Sequence, residues 1–372
     1  MAQSRMRIAL VAPLIAPLAE PQLGGVQTFL VDLARGLTRR GHGVTVFAAR
    51  GSRVEGVTVV EVGVDAAELS ATLVRPGGTP PDDDAEARSA EAFAATAALI
   101  GSRDFDVVHN HAFDVPAILQ AATLAAPVLH TLHLPVEARI GSALAAARTS
   151  ANPPLVAGVS EAHAEAWRRL VPVDLVLRPG IPTDAIPWLA TSTSTGLLFA
   201  GRLSPEKGPL AAVAIARAAR RRILVCGPGY DAEHAAQVRE LLRESPLGHP
   251  PAAVDVLPAL ERRALWIEMG RSAVVICAPA WEEPFGLVAA EANACGTPVV
   301  GFRRGGLPEV VDDGRTAILV APGDVAGAAA GVRRADQLSR VACRRHAEEN
   351  LDLEATLDAH ERAYRRAVGA RG

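Results

Sequence analysis

Short apolar runs alternate with stretches of helical periodicity from one end of the chain to the other. Residues 7–12 read as a first strand. Val26, Phe29, Leu30, Leu33, Ala34 and Leu37 then recur at helical spacing, with Gly41 as the stop signal. Further apolar runs follow at 44–48, 57–64, 106–111, 128–133, 155–159 and 173–177, with helical patterns between several of them. Residues 75–91, rich in Pro, Gly and Asp, read as a surface excursion. Strands that alternate with helices imply parallel sheets joined by right-handed crossovers.

Residues 178–196 interrupt this rhythm with three prolines and a Ser/Thr run, and read as a linker. The alternation restarts at 197–200 and continues at 223–226, 254–257, 274–278, 298–302 and 317–320. A long helix is expected over 352–366. The pattern therefore divides into 1–180, 181–351 and a terminal segment 352–372, without internal repeats. A length of 372 residues agrees with two domains at roughly 150 residues each.

Composition narrows the class. Hydrophobic residues make up 49% and charged residues 21%, enough for two buried cores and too apolar for a disordered chain. A net charge of −3 provides no global attraction for nucleic acid or membrane. Cys226, Cys277, Cys295 and Cys343 show no paired spacing and read as reduced residues of a cytoplasmic protein. No signal peptide is expected, because the first residues run almost directly into a strand. The uncharged stretch 115–136 is broken by Pro116, Pro127 and Pro135 and by Gln120, His130 and His133, so it reads as a buried helix–strand unit, not a membrane span. Of the 38 basic residues, Lys207 is the only lysine. Codon bias toward arginine would leave lysine only where a compact ammonium is needed; chance is the plain alternative.

Three features of the second half carry candidate chemistry. Residues 201–208 (GRLSPEKG) lie after a strand and before a helix that opens with Pro209. A glycine-bearing turn with Arg202 and Lys207 at a helix start is a good diphosphate site, although a solvated turn with two incidental cations has the same sequence. Glu283 and Glu291 stand eight positions apart among Phe285, Leu287, Ala289, Ala290 and Ala292. If the segment is mostly helical, the pair spans about 12 Å. That is too far for two carboxylates to act on one glycosidic bond, and it suits the two ends of an elongated ligand. Residues 303–309 (RRGGLPE) form a further turn after a strand, with a purely structural role as the alternative.

Together these motifs resemble the retaining glycosyltransferases of family 4. The resemblance rests on the phosphate loop, on EEPFGLVAAEANACGTPVV at 282–300 and on GGLPEVV at 305–311. In the first half it rests on Gly24-Gly25-Val26 before an amphipathic helix, DVVHNH at 106–111, HTLH at 130–133, and Val159-Ser160 before a helix. It implies the α/β GT-B fold, two facing Rossmann-like domains with parallel sheets and an interdomain cleft. It also implies that the terminal helix crosses back onto the first domain. Arg202 and Lys207 would bind the donor diphosphate, with Gly25, Gly286 and Leu287 beside it. Glu283, with Phe285, Gly286 and His133, would hold the donor sugar, and Glu291 the ribose. Catalysis would fall to His133, Glu283, Lys207 and Arg202, and Gly24, Gly25, His109 and His111 would face the acceptor. The expected donor is a UDP-sugar, with GDP or ADP as other carriers, and the anomeric configuration is retained. No metal or other cofactor is expected.

Other readings remain open on the residues alone. His109, His111, His130 and His133 suit a zinc site, a buried polar network or a substrate contact. His109 and His111 share a strand face, whereas His130 and His133 have opposite parity. The Asp-x-Asp patterns at 82–84 and 104–106 resemble a metal-binding pair, but one lies in a loop and the other leads into a strand. Gly227-Pro228-Gly229 lacks the third glycine of a dinucleotide fingerprint. A phosphorylase would need a lysine for pyridoxal phosphate, and Lys207 already sits in the phosphate loop. A nucleotide-sugar epimerase and a non-catalytic sugar-binding protein are the remaining alternatives. Residues 1–180 hold 15 basic and 18 acidic residues, while 181–372 hold 23 of each. On average the first domain therefore lacks a basic face for anionic lipid, and a soluble small-molecule or glycan acceptor is expected.

Overall fold

A computed structural model describes residues 5–62, 83–229, 232–243 and 256–369. The chain divides into two compact units. The first holds Met1–Ala19, Gly25–Gly180 and Leu353–Gly372; the second holds Glu20–Gly24 and Ile181–Asp352.

The first unit is built on a seven-stranded sheet. Its strands are β1 (Arg7–Val11), β2 (Gly43–Ala49), β3 (Thr58–Val62), β4 (Val107–Asn110), β5 (Val128–Thr131), β6 (Leu155–Gly158) and β7 (Leu175–Val176). They lie in the order β3-β2-β1-β4-β5-β6-β7, all parallel. Every position of β4 and β5 is buried, as expected where a parallel sheet is covered on both faces. The helices are α1 (Gly25–Arg39), α2 (Asp83–Gly101), α3 (Val115–Ala121), α4 (Ala138–Ala147) and α5 (Glu161–Arg168). α1 buries Phe29, Leu30, Leu33 and Leu37 on one stripe. The excursion read at 75–91 is helical from Asp83 onward. Ala85, Ser89, Ala92, Phe93, Thr96 and Ile100 form one buried helical face there, which the Pro/Gly/Asp composition of the preceding residues obscured. Asp82, like the end of the strand read at 57–64, lies outside the described residues.

The second unit carries β8 (Leu197–Ala200), β9 (Ile223–Cys226), β10 (Val256–Leu257), β11 (Val274–Cys277), β12 (Val299–Phe302) and β13 (Ala317–Val320). They form a parallel sheet in the order β10-β9-β8-β11-β12-β13. The start of the run read at 254–257 lies outside the described residues. The helices are α6 (Pro209–Ala219), α7 (Ala232–Arg243), α8 (Arg262–Arg271), α9 (Leu287–Ala294), α10 (Leu307–Val310), α11 (Val325–Ala335) and α12 (Arg340–Asn350). The part of the presumed linker within this unit is bound down. The Arg344 guanidinium donates to Thr183 O at 2.7 Å and Ile186 O at 3.0 Å, and Arg340 Nε donates to Leu189 O at 2.9 Å. Charge-assisted bonds thus satisfy backbone carbonyls that form no strand ladder.

The last helix, α13 (Leu353–Gly369), belongs to the first unit. Gly36 on α1 makes room for it, because a Cβ at that position would meet the Leu357 methyls at 2.7–2.8 Å. The Arg40 guanidinium bonds to Glu354 at 2.6 Å and Asp358 at 2.6 Å, and reaches the buried Glu361 at 3.3 Å. His42 accepts from Met6 N–H through Nδ1, so its Nε2–H faces Glu361 at 3.2 Å.

Candidate functional site

Both sheets run outward from a first strand, β1 or β8, and reverse direction on its other side. At such a reversal the loops leaving the carboxyl ends of neighbouring strands diverge, which opens the crevice where α/β sheets bind ligands. In the second unit the loops after β8 and β11 flank that point, and they carry Lys207 and Glu283.

The loop after β8 enters a single 3-10 turn, Pro205–Lys207. Gly208 closes the turn at φ +71°, and a Cβ there would collide with Ala278 O, so only glycine fits this approach to the end of β11. Ala280 N–H donates to Glu206 O at 3.0 Å, joining the two loops. Lys207 Nζ thereby reaches both oxygens of Glu283, at 3.0 and 2.8 Å. Arg202 binds Glu206 Oε1 at 3.1 Å, and Ser204 Oγ donates to the same oxygen at 2.7 Å. Gly227 lies against Gly201 O, and Leu203 N–H donates to Pro228 O at 2.9 Å, so the Gly227-Pro228-Gly229 turn supports the phosphate-loop candidate.

Glu283 has a second side-chain partner, Trp281, that the sequence does not single out. Trp281 Nε1–H donates to Oε2 at 2.8 Å, and the Lys207 ammonium lies 4.6 Å from the centre of the indole ring. Burial alone would push the Glu283 carboxyl up. The Lys207 charge, the hydrogen bonds from Lys207 and Trp281, and the Arg202 charge together hold it below the usual carboxylate range. The turn 303–309 is not a loose neighbour. Gly306 N–H donates to Glu283 O at 2.7 Å, Gly305 N–H to Glu282 Oε2 at 2.8 Å, and Arg304 to Ala280 O at 2.6 Å. Gly305, at φ +53°, permits this contact. The residues thus brace the Glu283 loop.

The segment between the two glutamates is only partly helical. α9 starts at Leu287, after Gly286 at φ +113°, so the helical separation expected of Glu283 and Glu291 does not apply. Phe285 is buried and Leu287 half-buried. Glu291 is 5% exposed and accepts from Arg262 Nε at 2.9 Å and Trp266 Nε1 at 3.1 Å. Arg262 and Trp266 are spaced i, i+4 on α8, and the guanidinium lies 4.7 Å from the indole centre. That spacing is visible in the sequence, but its target is not.

In the first unit, Gly25 begins α1 and is exposed, while Gly24 falls with the second unit. His109 is fully buried on β4, bonded to Thr131 Oγ1 at 2.7 Å and Tyr364 Oη at 2.8 Å. His111 Nδ1 lies 2.9 Å from Nε2 of the half-buried His133. His133 therefore joins the face of His109 and His111. Both ring nitrogens of His130 are buried without a hydrogen-bond partner in the protein. Burial, with the neighbouring imidazoles, pushes His133 down to about 3 and His109 and His111 well below the usual range, so all three are neutral. Asp104 and Asp106 pair with Arg7 where β1 and β4 begin, at the edge opposite these histidines.

Comparison with known proteins agrees with this architecture. Residues 23–185 match the family model described as Glycosyltransferase Family 4, and residues 186–350 match Glycosyl transferases group 1. The D-inositol 3-phosphate glycosyltransferase of Mycobacterium avium is 30% identical over 97% of this chain and 94% of its own length. The Xylanimonas cellulosilytica protein of the same name is 31% identical over 84% of each chain. Among solved structures, sucrose-phosphate synthase from Thermosynechococcus elongatus aligns with a TM-score of 0.78 at 20% identity, covering 98% of this chain and 100% of that one. Anabaena Alr3699/HepE in complex with UDP-glucose aligns at 0.67 and 17% identity, covering 95% and 98%. With the motifs in order and a relative matched along almost its whole length, the chain belongs to glycosyltransferase family 4 and has the GT-B fold.

Proposed function

We propose that the chain transfers a hexose from a nucleoside diphosphate sugar to a small hydroxyl-bearing acceptor, with retention and without a metal ion. The observation that carries this reading is the Lys207–Glu283 pair, with Arg202 beside it, at the reversal point of the second sheet. On donor binding, Lys207 and Arg202 exchange carboxylate oxygens for diphosphate oxygens. Glu283 is then left to accept hydrogen bonds from sugar hydroxyls. Gly286 and Leu287 begin α9 and offer backbone N–H groups at the positive end of a helix. Phe285, being buried, contributes through its backbone. Glu291, oriented by Arg262 and Trp266, takes the ribose hydroxyls. Two cations at the diphosphate stabilise the charge that grows there as the sugar bond breaks, which is the task a metal performs in other transferases. A front-side route through an ion pair accounts for retention. Neutral His133 is assigned to the sugar and Gly24 and Gly25 to the acceptor side, whereas His109 and His111, which are fully buried, act only from behind His133 and do not reach an acceptor.

The solved complex of Alr3699/HepE with UDP-glucose supports UDP as the carrier and a hexose as the cargo. The named activity of the curated relatives supports a small, soluble cyclitol-type acceptor. The test is a turnover panel with UDP-, GDP- and ADP-glucose, with and without inositol 3-phosphate, in the presence of a chelator. The expected outcome is an α-linked product from UDP-glucose that survives the chelator. Loss of turnover that magnesium or manganese restores would refute metal independence. Conversion of donor without acceptor would point to an epimerase.

A further inference from the structure

We propose that Trp281 is a positioning residue that holds the Glu283 carboxylate and the Lys207 ammonium in register for the transfer step; this rests on the roles of Glu283 and Lys207 given above. The indole does two different things at once. Its N–H donates to Glu283 Oε2 at 2.8 Å, and its face receives the Lys207 ammonium at 4.6 Å. The backbone on either side is fixed: Ala280 N–H is bound to Glu206 O, and Glu283 O to Gly306 N–H. The ring is therefore a built part of the site and not a side chain resting on a surface.

The two partners of Glu283 respond differently to a ligand. Lys207 is drawn toward any diphosphate that arrives, which removes the charge opposite the carboxylate. The indole N–H is neutral and stays, so the carboxylate keeps its orientation when the sugar reaches it. The ring quadrupole attracts the ammonium both while it pairs with Glu283 and as it turns away. The other titratable groups around Glu283 are Arg202, whose charge favours the ionised carboxylate, and the Cys277 thiol, which burial pushes up to about 12 and so keeps neutral.

Trp281→Phe removes the donor and keeps the aromatic face; Trp281→Leu removes both. Replacement of Trp281 by benzothienylalanine, an isostere without the N–H, tests the same loss if the phenylalanine variant does not fold. The Glu283 titration, followed by NMR of 13C-labelled glutamate carboxyls in the ligand-free protein, should move to higher pH in the variants lacking the donor. The acid limb of kcat should move with it, and kcat should fall about tenfold, with the donor KM little changed. The leucine variant should in addition raise the donor KM. A Glu283 titration in the phenylalanine or benzothienyl variant that coincides with the unmodified protein would overturn the proposal. The NMR measurement needs no turnover. A protein inactive toward every nucleotide sugar would thus count against the transfer reading, while the titration still decides the role of Trp281.

Discussion

Lys207 is the only lysine in a chain with 38 basic residues, and its ammonium touches both oxygens of Glu283 and the face of Trp281. A guanidinium can make contacts of this kind, as Arg262 does with Glu291 and Trp266, but at position 207 its wider planar head would have to fit the tight turn that Gly208 closes against Ala278 O, where a compact ammonium is accommodated. Lys207→Ala should reduce turnover more than it weakens binding of intact donor, by roughly a hundred- to a thousandfold, as for loss of one transition-state donor. Lys207→Arg should fold normally and still lose at least about tenfold in turnover, ~1.4 kcal/mol. Steady-state kinetics with the donor at saturation reads this directly. A fully active arginine variant would make the lone lysine a compositional accident. Lys207 and Glu283 were both legible as candidates because each sits in a motif of small and charged residues. Their pairing was not, because 76 residues separate them and nothing local encodes the contact. Trp281 was missed for a related reason: an aromatic residue two positions before a glutamate reads as core.

The elements of the first unit place neutral histidines where β4, β5 and α13 meet. Burial pushes His130 and His360 down to about 4, against an ordinary value of 6.5. Unfolded chains bind these protons first as pH falls. Stability is therefore at its full value above about 6.5, declines between there and about 4, and levels off with respect to these groups below that. Each such histidine contributes a slope of about 1.4 kcal/mol per pH unit in that window. His130 has no hydrogen-bond partner to lose. His130→Leu should therefore narrow the stability difference between pH 7 and pH 5 by about 2 kcal/mol in urea unfolding. Carboxylate effects are common to both proteins and cancel in the comparison. An unchanged difference would show that His130 does not titrate as a buried neutral group. Strand and helix periodicity made most of these elements legible. There are two exceptions: α2 was hidden by the Pro, Gly and Asp residues before it, and the stretch between Glu283 and Glu291, whose span was reckoned on the condition that it is mostly helical, is helical only from Leu287, where Gly286 at φ +113° ends the loop.

Across the molecule, two sheets with the same outward-then-reversed strand order each bring their candidate site residues to the carboxyl ends of the strands. The alternation of apolar runs carried that much in sequence, because parallel sheets with helical crossovers admit few other arrangements. What it did not carry was how ions pair within the site. Glu283 meets Lys207, and Glu291 meets Arg262 and Trp266, by contacts that depend on loop geometry. The division of labour between these two carboxylates is the central claim, and nucleotide titration tests it most directly. UDP binding should be measured by calorimetry for the unmodified protein, Glu283→Gln and Glu291→Ala, alongside turnover of UDP-glucose. The account predicts that Glu291→Ala weakens UDP itself, while Glu283→Gln leaves UDP affinity intact and lowers turnover. Equal loss of UDP affinity in both variants would contradict it.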